Sequence, residues 1–217
     1  FAQVMYNIIK QYIRTAGEYT EVADGNIMVN APGVTLKNVT INGDLIIGDG
    51  VGDGDLLLEN VTVKGRLVAR GGGANSIVIR GGSVVGKVVI AKVDGNIRVS
   101  VEGGAEVEVI VVDDGKDDVI IEGTVGTVQV AAAVPVAIQN ATIETVEVSC
   151  EGAAEIKVSE GAKVTSVLVS DKAEGSAINV SGQVTNIETS AANTVVSGTG
   201  TVRKATAKEG ADGTSVT

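Results

Sequence analysis

Residues 34–47 read Val-Thr-Leu-Lys-Asn-Val-Thr-Ile-Asn-Gly-Asp-Leu-Ile-Ile, three short alternating runs of apolar and polar residues separated by Asn or Gly. One part of this stretch returns along the chain: an apolar residue, a polar residue, and then usually Asn or Gly. The motif begins at Leu36, Leu58, Ile79, Val101, Ile121, Ile138, Val158, Val180 and Val196. Its steps of roughly 16 to 22 residues are too short for a domain and are typical of one coil of a solenoid.

Three alternating runs in each coil predict a prism with three faces, on which strands of successive coils stack as parallel sheets. The Asn or Gly of the motif is expected at a corner with positive φ, which Gly adopts freely and Asn tolerates. Glu160 occupies that place in one coil, so we expect the turn there at Gly161. A strict six-residue pattern, typical of left-handed β-helices, is not visible. The sequence therefore predicts an all-β, right-handed parallel β-helix of about nine coils.

The composition agrees with strands and excludes several functions. Valine alone makes up nearly a fifth of the residues, while aromatic residues are only 2%, and stiff β-branched side chains favour strands. A net charge of −10 disfavours nucleic acid. No apolar run reaches the ~20 residues of a membrane helix, so we expect no membrane insertion.

The titratable residues limit the chemistry further. The chain has no histidine and a single cysteine, Cys150, which removes imidazole bases, an internal disulfide and a Cys-rich zinc site. We expect no cofactor. Cys150 follows the alternating Val146 and Val148, and this pattern predicts a small buried core residue.

The N-terminal segment differs in period from the rest of the chain. Apolar residues within 1–13 recur at helical spacing and predict an α-helix that caps the first coil. The expected organisation is a capping helix and linker at 1–30, the parallel β-helix at 31–207 and a polar C-terminal tail at 208–217.

Four aspartates, Asp113, Asp114, Asp117 and Asp118, are the candidate catalytic residues. Two carboxylates close together could act as acid and base in glycoside hydrolysis. The alternative is a solvated turn around Gly115, where Asp is favoured for its local hydrogen bonds. A lyase would also need a basic side chain beside its acids, for which Arg66, Arg70, Arg80 and Arg98 are available.

A second acidic stretch, with Asp49, Asp53 and Asp55 between glycines, is the candidate calcium site. Its spacing matches neither an EF-hand loop nor the nonapeptide calcium repeat, and a glycine-rich corner is the alternative reading. Charged and polar residues at the second motif position predict a ladder along one corner: Lys37, Glu59, Arg80, Glu102, Glu122 and Gln139. Neighbours of opposite charge in such a ladder are expected to pair across coils.

Two stretches resemble known proteins. The opening residues Phe-Ala-Gln-Val-Met-Tyr-Asn-Ile-Ile resemble the last helix of an S-layer homology module. Residues 31–45 begin a region that resembles the β-helices of surface proteins carrying such modules. The resemblance implies an extracellular location on the surface of a bacterium, with only a remnant of the module present.

Together these observations predict a structural or adhesive β-solenoid of a cell-surface protein that is not an enzyme. The alternative is a polysaccharide-binding or polysaccharide-degrading β-helix of the pectate-lyase kind. Candidate partners are cell-wall or extracellular polysaccharide and, through the two open ends of the solenoid, a second copy of the chain.

Overall fold

The computed structural model describes residues 8–217 and contains one 21-stranded sheet system in which every pairing is parallel. The strands are β1 (Ile9–Ile13), β2 (Gly17–Tyr19), β3 (Asn26–Val29), β4 (Val34–Lys37), β5 (Thr40–Ile41), β6 (Leu45–Ile47), β7 (Leu56–Glu59), β8 (Thr62–Ala69), β9 (Val78–Arg80), β10 (Val84–Ile90), β11 (Ile97–Val101), β12 (Glu106–Val112), β13 (Val119–Val130), β14 (Pro135–Val148), β15 (Glu155–Val158), β16 (Lys163–Val169), β17 (Ala177–Val180), β18 (Gln183–Thr189), β19 (Val195–Ser197), β20 (Thr201–Ala207) and β21 (Ser215–Val216). A 3-10 turn at Asp49–Val51 is the one helical element among these.

The pairings arrange the strands on three faces of a solenoid of about ten turns. Face 1 joins β1, β3 and β6 to the C-terminal parts of β8, β10, β12, β13, β14, β16, β18 and β20. Face 2 joins β2, β4, β7, β9 and β11 to the first parts of β13 and β14, and then to β15, β17, β19 and β21. Face 3 joins β5 to the remaining parts of the long strands. The parallel β-solenoid predicted from the repeat is confirmed.

Alternation along each strand builds the core. Within Lys163–Val169, for example, Val164, Val167 and Val169 are buried, while Lys163 and Leu168 are exposed. One hydrophobic cluster runs from Ile13 to Val196 through the described residues, so the prism has a single continuous interior. Cys150 is 1% exposed in this cluster, as the alternation predicts, and burial raises the pKa of its thiol.

The corner between faces 2 and 3 has the backbone that the motif predicts. Asn38, Asn60 and Asn140 have φ values of 54°, 54° and 45°. Glycines with positive φ occupy the same corner at Gly81, Gly103, Gly123 and Gly161. The turn therefore falls at Gly161 where Glu160 interrupts the motif. Gly182, in the next coil, does not have positive φ.

The predicted N-terminal helix is wrong for Ile9–Ile13. Residues 1–7 lie outside the described residues, and Ile9–Ile13 is a strand that pairs with β3 on face 1. Ile9 and Ile13 point into the core, so this segment continues the solenoid instead of lying across its end. At the other end, β21 pairs with β19, and strand pairing therefore extends into residues 208–217.

Among residues 8–217, no helix is both long enough and apolar enough to cross a bilayer.

Candidate functional site

The four candidate catalytic aspartates lie in an exposed loop at the corner between faces 1 and 2. Asp114 Oδ1 accepts a hydrogen bond from the Gly115 amide at 2.8 Å, and Asp117 Oδ2 accepts one from the Gly95 amide at 2.6 Å. The next base in the loop, Lys116, contacts Asp94 at 3.1 Å. These contacts join the loop to itself and to the loop of the preceding coil. The Asp114 contact is a local hydrogen bond of the kind that favours Asp in turns.

The three aspartates proposed for calcium do not converge. Asp49 Oδ1 contacts Arg70 Nε at 3.1 Å, and Asp53 Oδ1 contacts Lys92 Nζ at 2.6 Å. Within residues 8–217, no group of three or more His, Cys, Asp or Glu side chains is arranged to hold a metal ion. Two of the three carboxylates thus have a cation of the protein itself as their partner.

Lys92, which sequence reasoning missed, is the most buried charge of this corner. Its side chain is 5% exposed, and Nζ donates to Asp53 Oδ1, to the Gly72 carbonyl at 2.7 Å and to the Asn96 carbonyl at 3.0 Å. The hydrogen bond from Lys92 holds the pKa of Asp53 below its ordinary value. The lysine ties three successive corner loops together. The only sequence signal for a buried Lys92 was its position directly after the apolar run 88–91, but a lysine at the end of such a run is usually exposed to solvent.

The predicted charge ladder forms over its first three members and then stops. Lys37 Nζ lies 3.6 Å from Glu18 and 3.3 Å from Glu59, and Glu59 also contacts Arg80 at 2.5 Å. Hydrogen bonds from Arg80 and Lys37 hold the pKa of Glu59 below its ordinary value, and the bond to Glu59 raises the pKa of Lys37.

Beyond Arg80 the acids find partners within their own coil or the neighbouring one. Glu102 accepts a hydrogen bond from Ser100 Oγ at 2.8 Å, and Glu122 pairs with Arg98 at 3.2 Å. The four arginines considered for a lyase are therefore all in ion pairs, with Asp44, Asp49, Glu59 and Glu122 as partners of Arg66, Arg70, Arg80 and Arg98.

Of the four catalytic candidates, Asp118 lines a cavity. This cavity of about 300 Å³ lies on the outside of face 2 and also contacts Ile120, Ala137, Gln139, Glu155 and Lys157. Asp118 precedes Val119, which pairs with Val136, and Pro135 pairs with Glu155. The two carboxylates are therefore two coils apart, about 10 Å along the stack. Asp118, Glu155 and Lys157 form no ion pair with any other described residue.

The floor of this cavity is apolar and its rim is charged. Ala137 is the outward residue between Ile120 and Lys157 in the neighbouring coils, and its small side chain leaves the depression. Sequence reasoning singled out Asp118 but not Glu155 or Lys157, because register across 20 residues decides which side chains meet.

Comparison of the chain with protein-family models, curated proteins and solved structures finds no match. The description of the protein therefore stays with its class, a parallel β-solenoid.

Proposed function

We propose that this chain is a non-catalytic structural or adhesive segment of a bacterial cell-surface protein. The observation that supports it most is the continuity of the solenoid. Three parallel ladders and one core run through about ten turns, which corresponds to a rod of about 48 Å at ~4.8 Å per turn. Each coil contacts its neighbours on both sides, so the rod resists bending and suits a spacer or a scaffold.

The charges support the same function. Asp114 and Asp117 of the 113–118 loop accept hydrogen bonds from backbone amides, and the arginines that a lyase would use are in ion pairs of the protein itself. Such contacts link coil to coil and leave these groups less available to a substrate.

The finer features of the proposal rest on sequence and on general rules. We propose a right-handed coil, because crossover connections between parallel strands of one sheet are right-handed in almost all proteins. The extracellular location rests on the resemblance of residues 1–9 to an S-layer homology helix. End-to-end contact between copies would involve the last strands of the described solenoid, β20 and β21.

A second function, binding or degradation of polysaccharide, is favoured by the cavity of Asp118 and Glu155. Carboxylates and an amide at its rim could accept hydrogen bonds from sugar hydroxyls, and the Ile120 and Ala137 floor could contact a ring. The spacing of the Asp118 and Glu155 carboxylates, about 10 Å along the stack, lies just above the ~9.5 Å upper limit for the two carboxyl groups of an inverting pair.

The location is tested on intact cells that produce the parent protein. An antibody raised against this segment should label unpermeabilised cells, and external protease should remove that labelling before any cytoplasmic marker is lost. Labelling only after permeabilisation would refute the surface location. Adhesion is tested by binding of the purified chain to isolated cell walls, with Asp118→Asn/Glu155→Gln as the variant that reports on the cavity.

A further inference from the structure

One outward column of face 1 is apolar over half of the solenoid. Met28 pairs in register with Ile46, Ile46 with Val68, Val68 with Val89 and Val89 with Val111. Each is half-buried between two buried neighbours on its own strand, so each points away from the core. We call these five residues the apolar stripe.

The same column becomes mostly polar in the following coils. Val111 pairs with Gln129, and the column continues through Glu147, Leu168, Glu188 and Thr206. Polar side chains therefore fit this column, and the core does not require apolar residues there. Strands that are apolar on both sides are typical of sheets covered on both faces.

The stripe has defined ends and a charged edge. At its N-terminal end, the Arg14 guanidinium covers the Tyr12 ring at 5.0 Å. Along one side lie Asp44, Arg66 and Lys87 in successive coils. Asp44 and Arg66 pair at 2.7 Å, whereas Lys87 is exposed and forms no ion pair within the described residues.

We propose that the apolar stripe binds the stripe of a second copy of this chain, with the two solenoids antiparallel and a twofold axis at Val68. In this arrangement Met28 faces Val111 of the second copy, and Ile46 faces Val89. Asp44 of each copy faces Lys87 of the other copy, so Lys87, which has no ion pair within its own chain's described residues, gains an acidic partner. Two copies share the same spacing of ~4.8 Å between coils, so all five side chains can interdigitate in register.

The polar half of the column selects this orientation. A parallel arrangement would place Glu147 and Glu188 against the same residues of the second copy, and like charges in close contact are unfavourable. In the antiparallel arrangement these coils extend beyond the contact at opposite ends. Arg66 lies near the axis, where Asp44 of its own chain balances its charge.

The size of the contact sets the expected affinity. The five coils of the stripe, with about five residues of each strand, cover roughly 400 Å² on each copy, below the ~800 Å² of a standard interface. We therefore expect a reversible dimer that forms at high protein concentration. The inference does not rest on the proposed function, because it concerns a different face.

Sedimentation velocity over a concentration series tests the dimer with a matched pair of variants. Val68→Glu places in the stripe the residue that the column itself carries at Glu147 and Glu188, so folding should be retained. It should abolish dimerisation. Leu168→Glu, in the polar half of the same column, should leave the dissociation constant within about twofold of the wild type. A wild-type chain that is monomeric throughout, or a dimer unaffected by Val68→Glu, would overturn the proposal.

Cross-linking tests the orientation in a Cys150→Ala background. A short bismaleimide should join Ile46→Cys to Val89→Cys in a mixture of the two variants and should join Ile46→Cys to itself poorly. The reverse result indicates parallel copies and contradicts the proposal. If Ala205→Glu in β20, the last strand of face 1, abolishes association and Val68→Glu does not, the contact lies at the ends of the rod and the proposal is refuted.

Discussion

Gly123 pairs with Val101 on face 2, and a Cβ atom on Gly123 would overlap the carbonyl oxygen of Val101. The φ of Gly123 is +88°, a value that L-residues rarely adopt. Any side chain at position 123 would therefore cause both steric overlap and backbone strain. The backbone of one coil approaches the next here more closely than any side chain would permit.

We expect Gly123→Ala to destabilise the solenoid. Incompatible backbone conformation alone costs more than about 1 kcal/mol, and displacement of the Val101 carbonyl adds to that cost. A urea titration followed by far-UV circular dichroism would measure the change in free energy of unfolding.

Gly86→Ala is the matched control for that substitution. Gly86 lies in a strand of the same solenoid, has no positive φ, and nothing lies within 4 Å of where its Cβ would be. Alanine there should be neutral or stabilising by up to about 1 kcal/mol. Equal destabilisation by the two substitutions would show that the Gly123 contact has no special role.

The pairing of Val101 with Gly123 is also a place where the sequence repeat predicts the wrong register. The motif aligns Val101 with Ile121, but the structure pairs Val99 with Ile121 and Val101 with Gly123. A second shift of two residues places Val196 opposite Ile178. A shift of two keeps apolar residues inward, so the alternating pattern cannot detect it. The solenoid and its Asn and Gly corners were predictable because they depend on local residues, whereas register depends on contacts between coils.

The N-terminal segment and the cavity fail to be predicted for related reasons. The spacing of apolar residues in 1–13 fits a helix, yet pairing with β3 places Ile9 and Ile13 in the core as a strand. Tertiary contacts override local periodicity in such a short segment. The cavity of Asp118 and Glu155 joins residues far apart in sequence, and no motif relates them.

Lys92→Ala should destabilise the corner of faces 1 and 2. It removes the donor to the Gly72 carbonyl in a buried hydrogen bond and to the Asn96 carbonyl in a partly buried one, and a buried acceptor left unpaired costs about 1–3 kcal/mol. Lys116→Ala is the control, because the Lys116–Asp94 pair is largely exposed and such pairs contribute at most about 1 kcal/mol. Chemical denaturation of both variants at neutral pH makes the comparison. Similar small decreases in the free energy of unfolding of the two variants would mean that Lys92 does not stabilise the contacts between the loops.

Acid should weaken the ion pairs of the first coils. The pKa of Glu59 is held below its ordinary 4.5 by hydrogen bonds from Arg80 and Lys37. A lowered folded-state pKa means that its stabilisation is present above the unfolded-state pKa and is lost as pH falls through the folded one. Stability should therefore decline below about pH 4.5 and stay nearly constant from there to neutral pH, since the chain has no histidine. Urea midpoints of wild type and Glu59→Gln should converge as pH falls toward 3, and a constant difference would contradict this account.

Calcium should not stabilise the protein. Arg70 and Lys92 are the partners of Asp49 and Asp53, so a cation at this loop would have to displace two bases. The melting temperature should be the same in millimolar calcium and in a chelator. A calcium-dependent increase that disappears in Asp53→Asn would establish the site that the pattern of Asp49, Asp53 and Asp55 suggested.

We expect no hydrolase or lyase activity on pectin, polygalacturonate or other acidic glycans, with or without calcium. Asp114 and Asp117 accept hydrogen bonds from backbone amides of their own loop and of the preceding one, and the arginines that a lyase would use are paired. Asp118 and Glu155 line the cavity together with Lys157 but form no ion pair with it, and the chain has no histidine to serve as a general base. Assays for new reducing ends and for the absorbance of unsaturated products test this across a panel of polysaccharides.

Activity that is lost in Asp118→Asn or Glu155→Gln but kept in Asp114→Asn and Asp117→Asn would place catalysis in the cavity and replace the structural proposal. Activity lost in Asp114→Asn or Asp117→Asn would instead return the 113–118 loop to a catalytic role.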